Sequence, residues 1–437
     1  MPNELSIRVS PELLDEGSAE ERACFGSIGI RHGNIWLTEG YDGSVNKVRL
    51  APLLSAYHLA EWIAWNWWRL RWEPRSNAPD WEFAHHLTTI GEGYAWPNIT
   101  IFSDGERIAL ISKPTLGRPN ALFRYLANAA AVVGAREFEY VVDQFIEQVR
   151  GLLRNAQIAE ANLDRIWNDV RGERRDPEMS KRRKIEALLG CDPGQAAESE
   201  IEQLVTDGES LGELAMNEVA ADYPQGGKLL TAKLLRELAE SSGFDAAPQD
   251  VVRLAAGTSL PHAGEVPAWQ LGAEAARVVR NQEKLGSGPI GNDILAELAG
   301  VKGEILTAKT PAPAISFALD IGAAKGRVVL RSKWETGRRF DLARLLGDRI
   351  VASAAGRLFP ATRAHTYRQK VQRSFAAELL SPFEAVDGML AGDYSMENRQ
   401  DVAEHFHVSE WTTRTLLFNH RRLEREDLEE DFDVVAA

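Results

Sequence analysis

Arg338-Arg339-Phe340-Asp341-Leu342-Ala343-Arg344-Leu345-Leu346-Gly347-Asp348 is the stretch on which the reading of this chain turns. As a helix it sets Arg344 and Asp348 four residues apart, on one face, where opposite charges can bridge. Upstream, Val328, Val329 and Leu330 mark a strand over 326–331, and further strands are expected over 314–319 and 304–307. Before these come an amphipathic helix over 269–284, closed by Gly286, a Gly288-Pro289 turn and a second helix over 293–298. Downstream lie Ser374-Phe375-Ala376-Ala377-Glu378-Leu379-Leu380-Ser381-Pro382 and Val402-Ala403-Glu404-His405-Phe406-His407-Val408-Ser409.

Taken in this order, the segments resemble the ImmA/IrrE metallopeptidase family. Its members run helix, helix, strands, then an Arg-Arg-Phe-x-Leu-Ala-His-Glu-x-Gly-His helix, then Phe-Ala-x-x-Leu-Leu-x-Pro. They end in a helix pair with Ala-x-x-Phe-x-Val-Ser. The resemblance implies a zincin-like domain over residues 267–423. In the family motif, two imidazoles four residues apart hold one zinc ion, and the glutamate between them is the general base. The resemblance implies a third ligand from the next helix.

Here those positions read Arg344, Leu345, Asp348 and, for the third ligand, Val371. A guanidinium does not ligate zinc, leucine accepts no proton, and one carboxylate holds zinc poorly. Phe340, Leu342, Ala343 and Gly347 keep the frame. The expectation is a pseudo-peptidase with no catalytic residue, metal or cofactor, in which Arg344 and Asp348 form a salt bridge. Relatives of this fold serve in anti-phage defence, toxin–antitoxin pairs and mobile elements, which implies a protein-binding or regulatory component. The alternatives are an active peptidase with a relocated metal site and a DNA-binding regulator. His85-His86 and the pair His405 and His407 are the histidine pairs a relocated site could draw on.

Further out, the chain is expected to be α+β and mostly helical. Residues 1–135 read as an α+β module: short strands over 25–50, a helix over 53–72, and a hairpin over 98–112 turning at Asp104-Gly105. Apolar residues stepping by three or four over 138–170 predict one long helix, with a kink possible at Gly151. Asp176-Pro177 ends it, and Ser180 is the expected cap of the next. A helical middle over 136–257, a linker over 258–267 and an acidic tail over 424–437 complete the plan.

Composition sets the outer limits. The chain has 437 residues, 44% hydrophobic and 26% charged, with a net charge of −14 that disfavours whole-surface attraction to DNA or anionic lipid. Cys24 and Cys191 make no disulfide framework or metal knuckle. A start without a basic and an apolar region, and no run of eighteen apolar residues, place the chain in the cytoplasm with no membrane. Five tryptophans crowd 62–72, and Trp62, Trp67, Arg69 and Arg71 are candidate partner anchors. Arg174, Arg175, Lys181, Arg182, Arg183 and Lys184 form the one dense basic run, a candidate phosphate contact for nucleic acid. Residues 402–417 look like a helix-turn-helix in isolation, whereas Gly226-Gly227-Lys228 lacks the strand and spacing of a phosphate loop.

Overall fold

The computed structural model describes residues 4–115, 122–226, 228–309, 313–352 and 356–423; the acidic tail expected over 424–437 lies outside them. The fold is α+β and mostly helical. It divides into two compact units, one ending at residue 197 and one beginning at residue 198. The expected helical middle is therefore shared between the two, and the 258–267 segment lies within the second unit. No helix among the described residues is long and apolar enough to cross a membrane.

In the first unit, β1 (Leu5–Pro11), β2 (Phe25–His32), β3 (Ile35–Trp36) and β6 (Leu53–Ser55) form one antiparallel sheet. β4 (Gly40–Asp42), β5 (Lys47–Arg49) and β9 (Phe123–Tyr125) form a second, and β7 (Ile99–Ser103), β8 (Arg107–Ser112) and β10 (Ala129–Gly134) a third. The hairpin joining β7 to β8 turns where expected, its Asp104 carboxylate accepting from the backbone of Glu106 and Arg107. The helices are α1 (Ala19–Cys24), α2 (Ala56–Trp65), α3 (Trp67–Trp72), α4 (Trp81–His85), α5 (Ala135–Asn155), α6 (Asn162–Arg175) and α7 (Pro177–Leu188).

Two helices expected whole are broken. The first ends at Asn66, whose side-chain amide donates to the Trp62 carbonyl and opens a new helix at Trp67. The 138–170 stripe passes unbroken through Gly151 but stops at residue 155, and Gln157 and Glu160 adopt left-handed backbone at φ 60° and 59°. The stripe looked continuous because α5 and α6 bury apolar faces in the same core. The cap of α7 is Asp176, accepting from Glu178 and Met179 with Pro177 at the first turn, and not Ser180.

In the second unit, α8 (Glu198–Leu211), α9 (Glu213–Asp222) and α10 (Ala232–Ser242) precede a sheet in the order β11-β13-β12-β14, all antiparallel. Its strands are β11 (Phe244–Ala246), β12 (Ser316–Asp320), β13 (Gly326–Val329) and β14 (Leu358–Ala361). Around it lie α11 (Ala268–Gln282), α12 (Asn292–Leu298), α13 (Glu304–Thr307), α14 (Glu335–Val351) and α15 (Tyr367–Leu380). α16 (Phe383–Leu390), α17 (Met396–Phe406) and α18 (Glu410–Asn419) close the chain. The strand expected at 304–307 is the short α13, since four residues with Ile305 and Leu306 both buried show no alternation to decide between states. The 258–267 segment is tied down: Leu260 and Val266 pack on Leu271 and Tyr367, and Tyr367 Oη donates to the Val266 carbonyl at 2.7 Å.

Three helices meet where side chains are missing. A Cβ on Gly272 of α11 would stand 2.4 Å from the Val371 carbonyl oxygen of α15. A Cβ on Gly347 of α14 would stand 2.6 Å from the Phe375 ring. The glycine of the 338–348 stretch and the phenylalanine of the 374–382 stretch are thus packing partners, which fixes α14 against α15.

Candidate functional site

Every residue of α14 from Arg338 to Asp348 except Phe340 is buried. Five of them are charged, so each must find partners inside the protein. Arg338 Nε donates to the Ile305 carbonyl, Arg339 Nη2 to the Ile290 carbonyl, and Asp341 accepts from Ser316 Oγ at 2.7 Å. Leu345 is ordinary core.

Arg344 occupies the first histidine position of the resembled motif. Its Nη2 donates to the Thr362 carbonyl at 2.7 Å and to Gln369 Oε1 at 2.6 Å, and its Nη1 stands 3.8 Å from Asp341. Burial pushes its pKa down to about 10, against the nearby Asp341, so it stays cationic at neutral pH. Asp348, at the second histidine position, is held by a two-pronged pair with Arg368: Nε to Oδ1 and Nη2 to Oδ2, both at 2.7 Å. The expected Arg344–Asp348 bridge is replaced by these contacts. Arg368 reaches the Asp348 carboxylate from the facing helix with both prongs, a geometry a neighbour one turn along the same helix seldom matches.

The third-ligand position is also displaced. Val371 points to α11 and packs with Ala268, Leu271 and Tyr367. The α15 side chains that face α14 include Arg368, Gln369, Gln372 and Phe375. Gln369 is engaged at both ends of its amide: its Oε1 accepts from Arg344 and the Thr362 backbone, and its Nε2 donates to the Pro360 carbonyl. Arg373, whose pKa burial pushes down to about 9, donates to the carbonyls of Thr362, Arg363 and Ala364.

α9 brings two buried carboxylates to the same place. Asp222 accepts from the Arg363 backbone at 2.7 Å, and Glu218 accepts from Thr366 Oγ1 at 2.6 Å. Burial pushes the Glu218 pKa above its ordinary value, against Arg368, Thr366 and Gln369, which favour its ionised form. A carboxyl held above its unfolded value binds its proton more tightly in the native state. Its contribution to stability is full below about pH 4 and drains as pH rises through the native value. Glu218→Gln cannot ionise and should lack that decline. Urea midpoints from about pH 4 to about pH 8 should fall less for the variant than for the native chain; parallel profiles would refute it.

What stands at the motif is a buried ionic and amide network, with the Arg344 Nε left without a hydrogen-bond partner. None of the three comparisons, with family models, curated proteins and solved structures, finds a match for this chain. Among the described residues, no three His, Cys, Asp or Glu side chains converge on a point that suits a metal ion. His85 is wholly buried, its Nδ1 at 2.7 Å from the Ile101 carbonyl, its Nε2 at 2.9 Å from Glu73 and its ring stacked on Trp81. Burial pushes the Glu73 carboxyl up, but His85 and Arg69 outweigh it and hold the group below its usual range. His86 faces Thr88 and Asn98. His405 lies edge-on to the Phe406 ring, and His407 is the left-handed cap of α17. Burial pushes the Cys24 thiol up to about 12 and Cys191 upward too, so neither is an activated nucleophile.

The tryptophan anchors belong to the core. Trp67 is 1% exposed, stacked on Phe138 at 6.3 Å and edge-on to Trp167 at 5.4 Å, with Arg174 over its ring. Trp62 is buried in the same cluster. Arg69 is buried against Glu73 at 2.6 Å, and Arg71 is held by Glu139 and the Gly105 carbonyl. The cover that Trp67 lacks on its own helix comes from α5 and α6. Trp65, 58% exposed, is the member of the cluster that faces solvent.

Two arginines of the basic run are interlocked with acids. Arg174 pairs with both oxygens of Asp143, and Arg183 bridges Glu173 and Glu186. Lys184 sits over the Trp72 ring at 4.3 Å. Arg171, Arg174 and Arg175 line an open cleft of about 410 Å³ together with Asp143 and Glu147, whose carboxylates offset much of its positive charge. In the helix pair over 402–417, Thr412, Thr413, Leu416 and Leu417 are buried, and the first turn of α18 carries Glu410, paired with Arg399. An acidic N-terminal turn is poorly placed against a DNA backbone.

Proposed function

We propose that this chain is a catalytically inactive relative of the ImmA/IrrE metallopeptidases, acting as a protein-binding or regulatory component. The observation that carries this is Arg344, a buried cation whose Nη2 donates to the Thr362 carbonyl and Gln369 where the resembled motif has its first ligand. Zinc needs neutral imidazole, thiolate or carboxylate donors aimed at one point. Here the single carboxylate among the motif's ligand positions, Asp348, is engaged by Arg368, and a leucine stands where the base would be. Displacing that pair for a metal would leave a guanidinium and a divalent cation side by side.

A fold kept without its chemistry serves by its surfaces. Service in anti-phage defence, toxin–antitoxin pairing or mobile-element control follows from the resemblance alone. Incubating the chain with unfolded protein substrates, with zinc, cobalt or manganese added in turn, should generate no new N-termini. Metal-dependent cleavage that disappears in Asp348→Asn would overturn the proposal.

A further inference from the structure

Among the described residues, nothing covers one face of the small sheet of β4, β5 and β9. Tyr41 of β4 lies between Val48 of β5 and Arg124 of β9. The ladder runs past the strand ends, since the Gly43 nitrogen donates to the Leu122 carbonyl and the Leu126 nitrogen to the Glu39 carbonyl. Side chains alternate across a strand, so Leu122, Leu126, Val48 and Leu50 share a face with Tyr41, Arg124 and Glu39. The opposite face buries Gly40 and Tyr125. Leu122 is 78% exposed, Val48 55%, Leu50 44% and Leu126 43%. A single exposed leucine needs no account, but four aliphatic side chains on one sheet face do.

The charges on this face say what would cover it. Among the described residues they are Arg124 of β9 and Glu39, just before β4, and neither forms an ion pair with another described residue. Arg124 lies over the Tyr41 ring at 5.4 Å, with its Nε buried and unpartnered. One cation beside one anion makes a surface complementary to itself. A two-fold axis passing between them brings each Arg124 to the Glu39 of the other copy and sets aliphatic against aliphatic. Polyanionic occupants, nucleic acid or anionic lipid, gain little from a face whose two charges cancel.

We propose that this face is the contact of a two-fold dimer of the chain, sheet packed on sheet. It does not depend on the reading of α14. Sedimentation of the full chain over a concentration series should show a reversible dimer. Val48→Glu and Leu122→Glu, both at exposed positions, should keep native circular dichroism and sediment as monomers. Arg124→Glu and Glu39→Arg should each weaken the dimer on the order of tenfold, and together should restore it. A native chain that stays monomeric, leaving the face to another partner or to none, would overturn the proposal. So would a dimer indifferent to the two aliphatic changes, or a double charge reversal no tighter than its singles.

Discussion

Arg368→Ala should destabilise the second unit by about 3–5 kcal/mol, because it leaves the Asp348 carboxylate buried without a partner. Asp348 is 2% exposed and its two oxygens are both met by Arg368 at 2.7 Å. The double change Arg368→Leu with Asp348→Leu removes both charges and should recover most of the loss, since buried pairs exchange for apolar residues at little net cost. Urea unfolding combined with hydrogen exchange in α14 and α15 peptides reads this directly. A single variant within about 1 kcal/mol of the native chain would mean the pair behaves as a surface bridge.

Trp67→Ala should cost the first unit about 3–5 kcal/mol, the range for truncating a large buried aromatic. Its ring touches Phe138 of α5, Trp167 of α6 and the Arg174 guanidinium, so one deletion opens a cavity between three helices. Loss of cooperative unfolding in this unit is the expected result. Native-like melting of Trp67→Ala, with binding weakened, would instead return Trp67 to the role of a partner anchor.

These two residues also mark where the sequence stopped being legible. Local spacing is enough to read α11, α12, α14 and the β7–β8 hairpin, because each is decided by neighbours a few residues apart. It also places Gly347 and Phe375 in their segments, although their contact is visible only in three dimensions. Partner choice is another matter. Arg368 lies twenty residues from Asp348, and which turn of α15 faces α14 depends on the rotation set by Gly272 and Gly347. By resemblance the third-ligand position falls on Val371, which packs on α11, whereas the side chain that meets Arg344 is Gln369. Likewise the sequence offers Trp67 as a candidate anchor because the side chains that cover it, Phe138 and Trp167, belong to helices far along the chain. The break after residue 155 was hidden for the same reason: two helices facing one core keep a single apolar phase. The sheet face at Val48 and Leu122 gave no signal, since its strands are only three residues long.

The central claim is that the metal position of the resembled motif is closed by Arg344, Arg368 and Gln369. Zinc bound by the purified chain after dialysis against a zinc buffer, measured by elemental analysis, tests it most directly. No stoichiometric zinc should remain, and Asp348→Asn should change nothing. One tightly held zinc per chain that is lost in Asp348→Asn would contradict the account.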